Sequence, residues 1–121
     1  MNIYYGESTG KTDVPAKNPV ETSLDTALGI FRSLDPRRGF IGIQLGERFK
    51  LQLLSKKNGM YSVELLDTSI PAWDKADVDP DLAESLIHAA FSGEVIENFK
   101  AAREMLGRMK QFESGNIIDL L

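Results

Sequence analysis

The stretch GFIGIQLGERFKLQLLSKKNGMYSVELLD, residues 39–67, decides the fold class because it contains three strand-like runs joined by short links. The runs cover residues 40–45, 48–54 and 60–66. In the second run Phe49, Leu51 and Leu53 alternate with polar residues, which is the period of a strand with one buried face. The link before the third run ends in Gly59, which suits a hairpin turn. The stretch therefore predicts an antiparallel meander.

Helical patterns flank this meander on both sides. Before it, Asn18 and Pro19 match an N-cap and a first helical position, and apolar residues then recur at spacings of three and four. After it, Asp79 and Pro80 open a second helix by the same logic. A third apolar stripe at helical spacing covers residues 94–112. The sequence therefore predicts one helix before the sheet and two after it.

The remaining segments complete the predicted architecture. A polar stretch after Asp67 is broken by Pro71, and its part 73–78 is compatible with a short edge strand. The tail after Gly115 is apolar, so we expect it to pack on the core or on a partner. The predicted fold is α+β: an N-terminal helix, an antiparallel meander of three to four strands, and two C-terminal helices, in a single domain of residues 1–121.

Composition limits the possible functions. The chain has 121 residues, a formal net charge of −4 and no cysteine, which suits one globular domain without thiolate catalysis or cysteine-ligated metals. The negative charge argues against general nucleic-acid binding, which needs a basic surface. No apolar run is long enough to cross a bilayer and the chain does not begin with a secretory signal, so we expect a cytoplasmic protein that does not bind membranes.

GESTGKT, the segment that begins at Gly6, resembles a phosphate-binding loop. That loop needs four residues between its first glycine and the Gly-Lys pair, but only three separate Gly6 from Gly10. Pro15 also opposes the helix that should begin at Lys11. We therefore expect a polar loop after a short N-terminal strand, and no nucleotide cofactor.

Two further patterns fail as metal or catalytic sites. His88 is the only histidine, which excludes a two-histidine metal site and favours a surface or partly buried role. Asp77, Asp79 and Asp81 alternate as calcium ligands do, but Leu82 occupies the position where a calcium loop requires glycine. The sequence therefore predicts no metal, no cofactor and no catalytic residue.

An acidic group around the only tryptophan is the most distinctive feature. We predict that Asp67, Trp73, Asp74, Asp77 and Asp79 form a partner-binding surface. In this interpretation the carboxylates attract a basic partner and the tryptophan is a buried anchor. The alternative interpretation is a solvated loop with helix-capping carboxylates, and the sequence leaves both open.

A group of lysines lies in the meander. These residues are Lys50, Lys56 and Lys57. Lysines on an exposed hairpin edge prevent pairing with other chains, and the sequence predicts that role here.

The meander together with DPDLAESLIHAAFSGE, residues 79–94, resembles the small immunity proteins of bacterial polymorphic-toxin and contact-dependent inhibition systems. The resemblance covers roughly residues 18–93, and it includes a helix that ends in an aromatic residue and a glycine, here Phe91 and Gly93. It implies a protein without catalysis of its own that binds a cognate toxin and blocks its active site. Toxins of this kind often act on nucleic acids or nucleotides through basic clefts, which an acidic surface would complement.

Two other functions remain open at the level of sequence. An acidic secretion chaperone would hold an unfolded segment of an effector in an apolar groove, and it would be a dimer. A small enzyme would use two carboxylates after Leu66 in a concave pocket. The expected partner is a protein toxin or effector, and both a monomer and a homodimer are compatible with the sequence.

Overall fold

The computed structural model describes residues 1–7, 12–68, 72–93 and 113–116 of the chain. Eight strands and two helices are found in these ranges. They are β1 (Asn2–Glu7), β2 (Thr12–Val14), β3 (Val20–Glu21), α1 (Leu24–Arg32), β4 (Gly39–Leu45), β5 (Phe49–Ser55), β6 (Tyr61–Asp67), β7 (Ala72–Val78), α2 (Pro80–Ser92) and β8 (Glu113–Asn116).

The strands form one antiparallel sheet in the order β2-β1-β4-β5-β6-β7-β8, with β3 also paired to β1. β2 pairs with Tyr5 and Gly6 of β1, whereas β3 pairs with Asn2 and Ile3. Strands β4 to β7 follow each other as neighbours, so the meander is the centre of the sheet.

The hydrophobic core lies on one face of this sheet. The register places Ile43, Leu51 and Leu65 side by side, and each is at most 1% exposed. Both helices pack on this face, which we call the helix face. Their buried residues are Ala27, Leu28 and Phe31 of α1 and Ala83, Leu86, Ile87 and Ala90 of α2. Burial of each large apolar side chain stabilises the fold by about 1.5–3 kcal/mol. The strands and helices therefore pack through the faces on which the sequence patterns place their apolar residues.

The meander itself agrees with the sequence prediction. The sequence predicts strands over residues 40–45, 48–54 and 60–66, and the ends of the observed strands differ from these ranges by at most one residue. In the second turn, Gly59 has φ +77°, and the backbone amide of Met60 donates to the side chain of Asn58. A left-handed φ at this position explains the glycine, because other residues adopt it only with strain.

The predicted N-terminal arrangement is wrong. The short strand expected at the N-terminus is present as β1, but it lies inside the sheet, and the predicted start of the first helix is occupied by β3. Val20 pairs with Ile3, and the amide of Thr22 donates to the carbonyl of Met1. Helix α1 begins only at Leu24, after the N-cap Ser23. The edge of β1 competes for the backbone of residues 20–22, and this pairing replaces the first helical turn.

The predicted C-terminal arrangement is also wrong. β7 is a full strand inside the sheet, with β8 on its outer side, so the sheet extends well beyond the predicted meander. Gly115, expected to precede a tail, lies within β8. Helix α2 begins and ends where the sequence predicted. The predicted third helix, residues 94–112, and the apolar tail, residues 117–121, lie outside the described residues.

Two smaller findings follow from the same topology. Strand β5, which contains Lys50, lies between β4 and β6, and Lys56 and Lys57 lie in the turn that joins β5 to β6, so these lysines do not line an edge strand of the sheet. Within the described ranges, neither helix is long and apolar enough to cross a membrane.

Candidate functional site

The structure separates the acidic residues that the sequence grouped together. Asp67 pairs with Ala72 at one end of the β6–β7 ladder, whereas Asp77 pairs with Ser62 at the other end. Ser62 and Asp67 are five residues apart on β6, which corresponds to about 17 Å along a strand. Asp79 follows β7 at the same end as Asp77. The predicted surface is therefore divided between two ends of the sheet.

Asp67 is buried and paired with an arginine. Its side chain is 5% exposed, and Arg48 donates from Nε to Oδ1 at 2.8 Å and from Nη2 to Oδ2 at 2.7 Å. This carboxylate raises the pKa of the Arg48 guanidinium through the hydrogen bonds. The hydroxyl of Thr68 donates to the backbone carbonyl of Arg48 at 2.6 Å. Together these contacts attach the β4–β5 turn to the end of β6, which is a structural role.

Asp77 is held by a more open ion pair. Lys56 Nζ contacts its Oδ2 at 2.5 Å, and the side chains of Lys56 and Asp77 are 39% and 21% exposed. Across the ladder lies Ser62, which is buried and whose hydroxyl has no hydrogen-bond partner among the described residues. Directly opposite residues of an antiparallel pair have their side chains on the same face, so Ser62 and Asp77 are neighbours.

Asp79 is the N-cap of α2. Its Oδ1 accepts from the amide of Leu82 at 2.8 Å, and the residue remains exposed. Asp81 is exposed in the first helical turn, where a negative charge stabilises the positive end of the helix. Glu84, one turn on, pairs with Arg32 of α1. The capping role was therefore predictable from the Asp-Pro pair, and it does not remove the exposed charge of Asp79.

Trp73 and Asp74 occupy interior positions of β7. Trp73 pairs with Leu66 on one side and Gly115 on the other, and Asp74 pairs with Leu65 and Ser114. These residues therefore lie in a strand with neighbours on both sides, although the sequence predicted a loop or a short edge strand. Their side chains lie outside the described part of the structure.

The arrangement brings three of the acidic residues together at one place. We call residues 77–81, where β7 ends and α2 begins, the β7–α2 corner. It carries Asp77, Asp79 and Asp81 within five residues, on a strand end and a helix start that are both anchored in the core by Val78 and Ala83. Because both elements are packed, the backbone that carries these carboxylates is anchored on both sides of the corner.

A second acidic region lies between β1 and α1. The described residues that line a cavity of about 520 Å³ there include Glu7, Asp13 and Asp35. Arg38 lies 3.4 Å from Glu7 and 3.7 Å from Asp35. The amides of Arg37 and Arg38 donate to Asp35 at 2.9 Å and lower the pKa of its carboxyl. The sequence indicated only that Asp35 ends a helix.

Another cavity, of about 560 Å³, lies beside the C-terminal part of α2. Its lining includes Leu24, Phe91 and the exposed His88. Among the described residues that line this cavity and the previous one, none is a carboxylate from residues 67–84. A small enzyme was expected to have a concave pocket with two carboxylates from the segment after Leu66. Neither of these two cavities matches that expectation.

Sequence reasoning also missed a polar row on the face of the sheet opposite the helices. The hydroxyl of Tyr4 donates to Gln52, and the amide of Gln52 donates to Glu64 at 3.1 Å. The tyrosine ring lies against Gly42, where a Cβ atom would be 1.9 Å from Tyr4 Cζ. Burial and the Glu64 charge raise the pKa of Tyr4. A glycine inside a strand signals such close approach, so Gly42 was the available clue.

In the described part of the chain, no group of three or more histidine, cysteine, aspartate or glutamate side chains could hold a metal ion. Comparisons of the chain with protein-family models, with curated proteins and with solved structures find no match. The function is therefore argued from the residues of this chain.

Proposed function

We propose that the protein binds a cognate bacterial toxin in the cytoplasm and neutralises it by covering its basic active site with an acidic surface. The β7–α2 corner is the part of the described surface that best fits this role. It places the predicted residues Asp77 and Asp79 beside Asp81, and it presents them on two packed elements. The presence of three carboxylates within five residues, on either side of a strand end and a helix start that are packed in the core, is the observation that supports the proposal.

Rigidity is what makes the corner suited to inhibition. An inhibitor that already has its bound conformation loses little conformational entropy when it binds. Val78 is 1% exposed and Ala83 is fully buried, so the backbone on both sides of the corner is fixed. A preformed set of negative charges also increases the rate at which a positively charged cleft is encountered.

The net charge supports the same conclusion. The chain carries 18 acidic and 14 basic residues, so it is attracted as a whole to a basic partner. Charge alone gives no specificity, because specificity requires charges at fixed positions. The corner supplies such positions.

A charge-removal experiment tests the proposal. The variant Asp77→Asn with Asp79→Asn removes two charges from the corner, and asparagine at position 79 retains the N-cap. The matched control, Asp25→Asn with Glu47→Gln, removes two charges from exposed residues elsewhere. Tagged wild-type protein and both variants are used in pull-downs from the native host, and the captured protein is then purified and titrated against each of them.

The expected result is capture of a toxin by the wild type and by the control, with binding to the corner variant about tenfold weaker. The purified toxin should lose its activity when the wild type is added. Equal binding by the two variants would show that the corner is only a solvated surface. Capture of an unfolded effector segment through salt-insensitive contacts would support the secretion chaperone instead.

A further inference from the structure

The contact between Lys56 and Asp77 joins two elements at one end of the sheet. Lys56 belongs to the β5–β6 turn, and Asp77 is the second-last residue of β7. The ammonium and the carboxylate form an ion pair at 2.5 Å, and both side chains remain partly exposed. A partly exposed pair of this kind contributes little to stability, so it exchanges easily.

The buried hydroxyl beside this pair is left unsatisfied. Ser62 is 8% exposed, it lies opposite Asp77 in the ladder, and its Oγ has no partner in the part of the chain that the structure describes. A carboxylate can accept several hydrogen bonds, so Asp77 could accept one from Ser62 as well. In the present arrangement Asp77 accepts from Lys56 at Oδ2, and Ser62 Oγ does not donate to it.

We propose that Lys56 is an internal competitor for the basic side chain of the partner. In the free protein its ammonium occupies Asp77, and in the complex a lysine or arginine of the partner replaces it while Asp77 accepts a hydrogen bond from Ser62. The inference rests on the proposed function, since it concerns an acidic residue of the same corner. Lys56 therefore lowers the affinity of the protein for its partner, although this lysine lies on the binding surface.

Lys57 provides a matched control for this inference. It is the next residue along the same turn, and it is exposed. Lys56→Met and Lys57→Met change the net charge equally, so a general effect of charge is the same in both. Each substitution is combined with Asp77→Asn, which gives a double-mutant cycle.

The probe is a fluorescently labelled oligoarginine peptide, titrated by fluorescence anisotropy at low ionic strength. We expect Lys56→Met to bind the peptide about threefold more tightly than Lys57→Met does, because removal of an exposed competing ion pair gains that much. In the Asp77→Asn background the two variants should bind equally. Glutamine in place of methionine at both positions checks that the result does not depend on the new side chain, and circular dichroism checks folding.

Equal binding by Lys56→Met and Lys57→Met would overturn the inference, and so would an advantage of Lys56→Met that persists with Asp77→Asn. The outcome is separable from the proposed function. If the peptide result is as expected but no toxin is captured from the host, only the proposed function fails. If the toxin is captured in a charge-dependent way but the two lysine variants bind the peptide equally, only this inference fails.

Discussion

The two ends of the β6–β7 ladder carry the same kind of interaction in different surroundings. At one end Arg48 and Asp67 form a two-point pair with a carboxylate that is 5% exposed. At the other end Lys56 contacts Asp77 through one atom pair, and the carboxylate is 21% exposed. Both pairs join an aspartate of the ladder to a cation from a turn next to β5.

The difference shows that burial and geometry, not residue type, decide what an ion pair does. A buried carboxylate has lost its water and depends on its partner, so breaking the pair is costly. A partly exposed carboxylate can regain water when its partner leaves, so the pair is weak and exchangeable. Asp67 therefore serves the fold, and Asp77 remains suited to binding.

The largest change in stability should come from Asp67, at the end of the ladder where the carboxylate is buried. We expect Asp67→Ala to lower the free energy of unfolding by about 3 kcal/mol, because it removes two charge-assisted hydrogen bonds. Urea denaturation monitored by circular dichroism measures this. Asp77→Ala is the matched control at the exposed end, and equal destabilisation by the two substitutions would contradict the comparison.

A buried neutral group on β1, the hydroxyl of Tyr4, should give the next largest effect on stability. Burial and Glu64 raise the pKa of Tyr4 above its ordinary value of 10.0, so the unfolded chain releases this proton first. Stability is then fully present below about pH 10 and is lost above it, by about 1.4 kcal/mol per pH unit. Denaturant titrations from pH 9 upwards should show a shallower loss for Tyr4→Phe than for the wild type. Parallel curves would mean that the hydroxyl of Tyr4 is in contact with solvent in the folded protein much as it is in the unfolded chain.

The helix cap tests whether the exposed end has any structural role. Asp79→Ala should destabilise the protein by about 1 kcal/mol, because the amide of Leu82 loses its acceptor. Asp79→Asn should be close to neutral, since asparagine caps equally well. Thermal unfolding of both variants measures the difference. A loss of similar size in both would indicate that charge, not capping, is what Asp79 supplies to the fold.

The smallest effect should be that of the exposed pair itself. Asp77→Asn is expected to change the free energy of unfolding by no more than about 0.5 kcal/mol, and high salt should remove the difference because it screens exposed charges. Urea titrations at low and high salt measure this. If Asp77→Asn instead lowered the free energy of unfolding as much as Asp67→Ala does, and at any salt concentration, the exposed pair would stabilise the fold in the same way as the buried pair.

Local signals predicted the parts of the fold that local energetics controls. The alternation around Leu51 and the turn at Gly59 correctly predicted the meander, because side-chain period and turn conformation are properties of a few neighbouring residues. Asp79 and Pro80 likewise correctly predicted the start of α2. Each of these features is stabilised within its own segment.

The N-terminal region could not be predicted in this way. Asn18 and Ser23 are both acceptable N-caps, and the choice between them depends on Val20 pairing with Ile3. That pairing joins residues 17 positions apart, and nothing in either segment specifies it. A helix signal was therefore overridden by a sheet edge that becomes available only when β1 is in place.

The candidate site was partly predictable for the same reason. The sequence identified Asp77 and Asp79 because they are close in the chain and flank a helix start. It also grouped Asp67 with them, whereas the structure places Asp67 at the opposite end of the β6–β7 ladder, because the seven residues of β7 lie between the two ends. The row from Tyr4 to Glu64 joins three strands, so sequence proximity gave no sign of it.

The sequence by itself therefore determined the strand and turn pattern of the meander, the capped start of α2 and the acidic character of the protein, since these depend on neighbouring residues and on composition. The tertiary structure alone decided that β1 is an interior strand, that Asp67 is buried against Arg48, and that Asp77 stays partly exposed beside Lys56. The physical reason is that solvent exposure and pairing partners are set by residues distant in the chain. Two aspartates with the same chemistry acquire different roles only when the sheet brings those residues together.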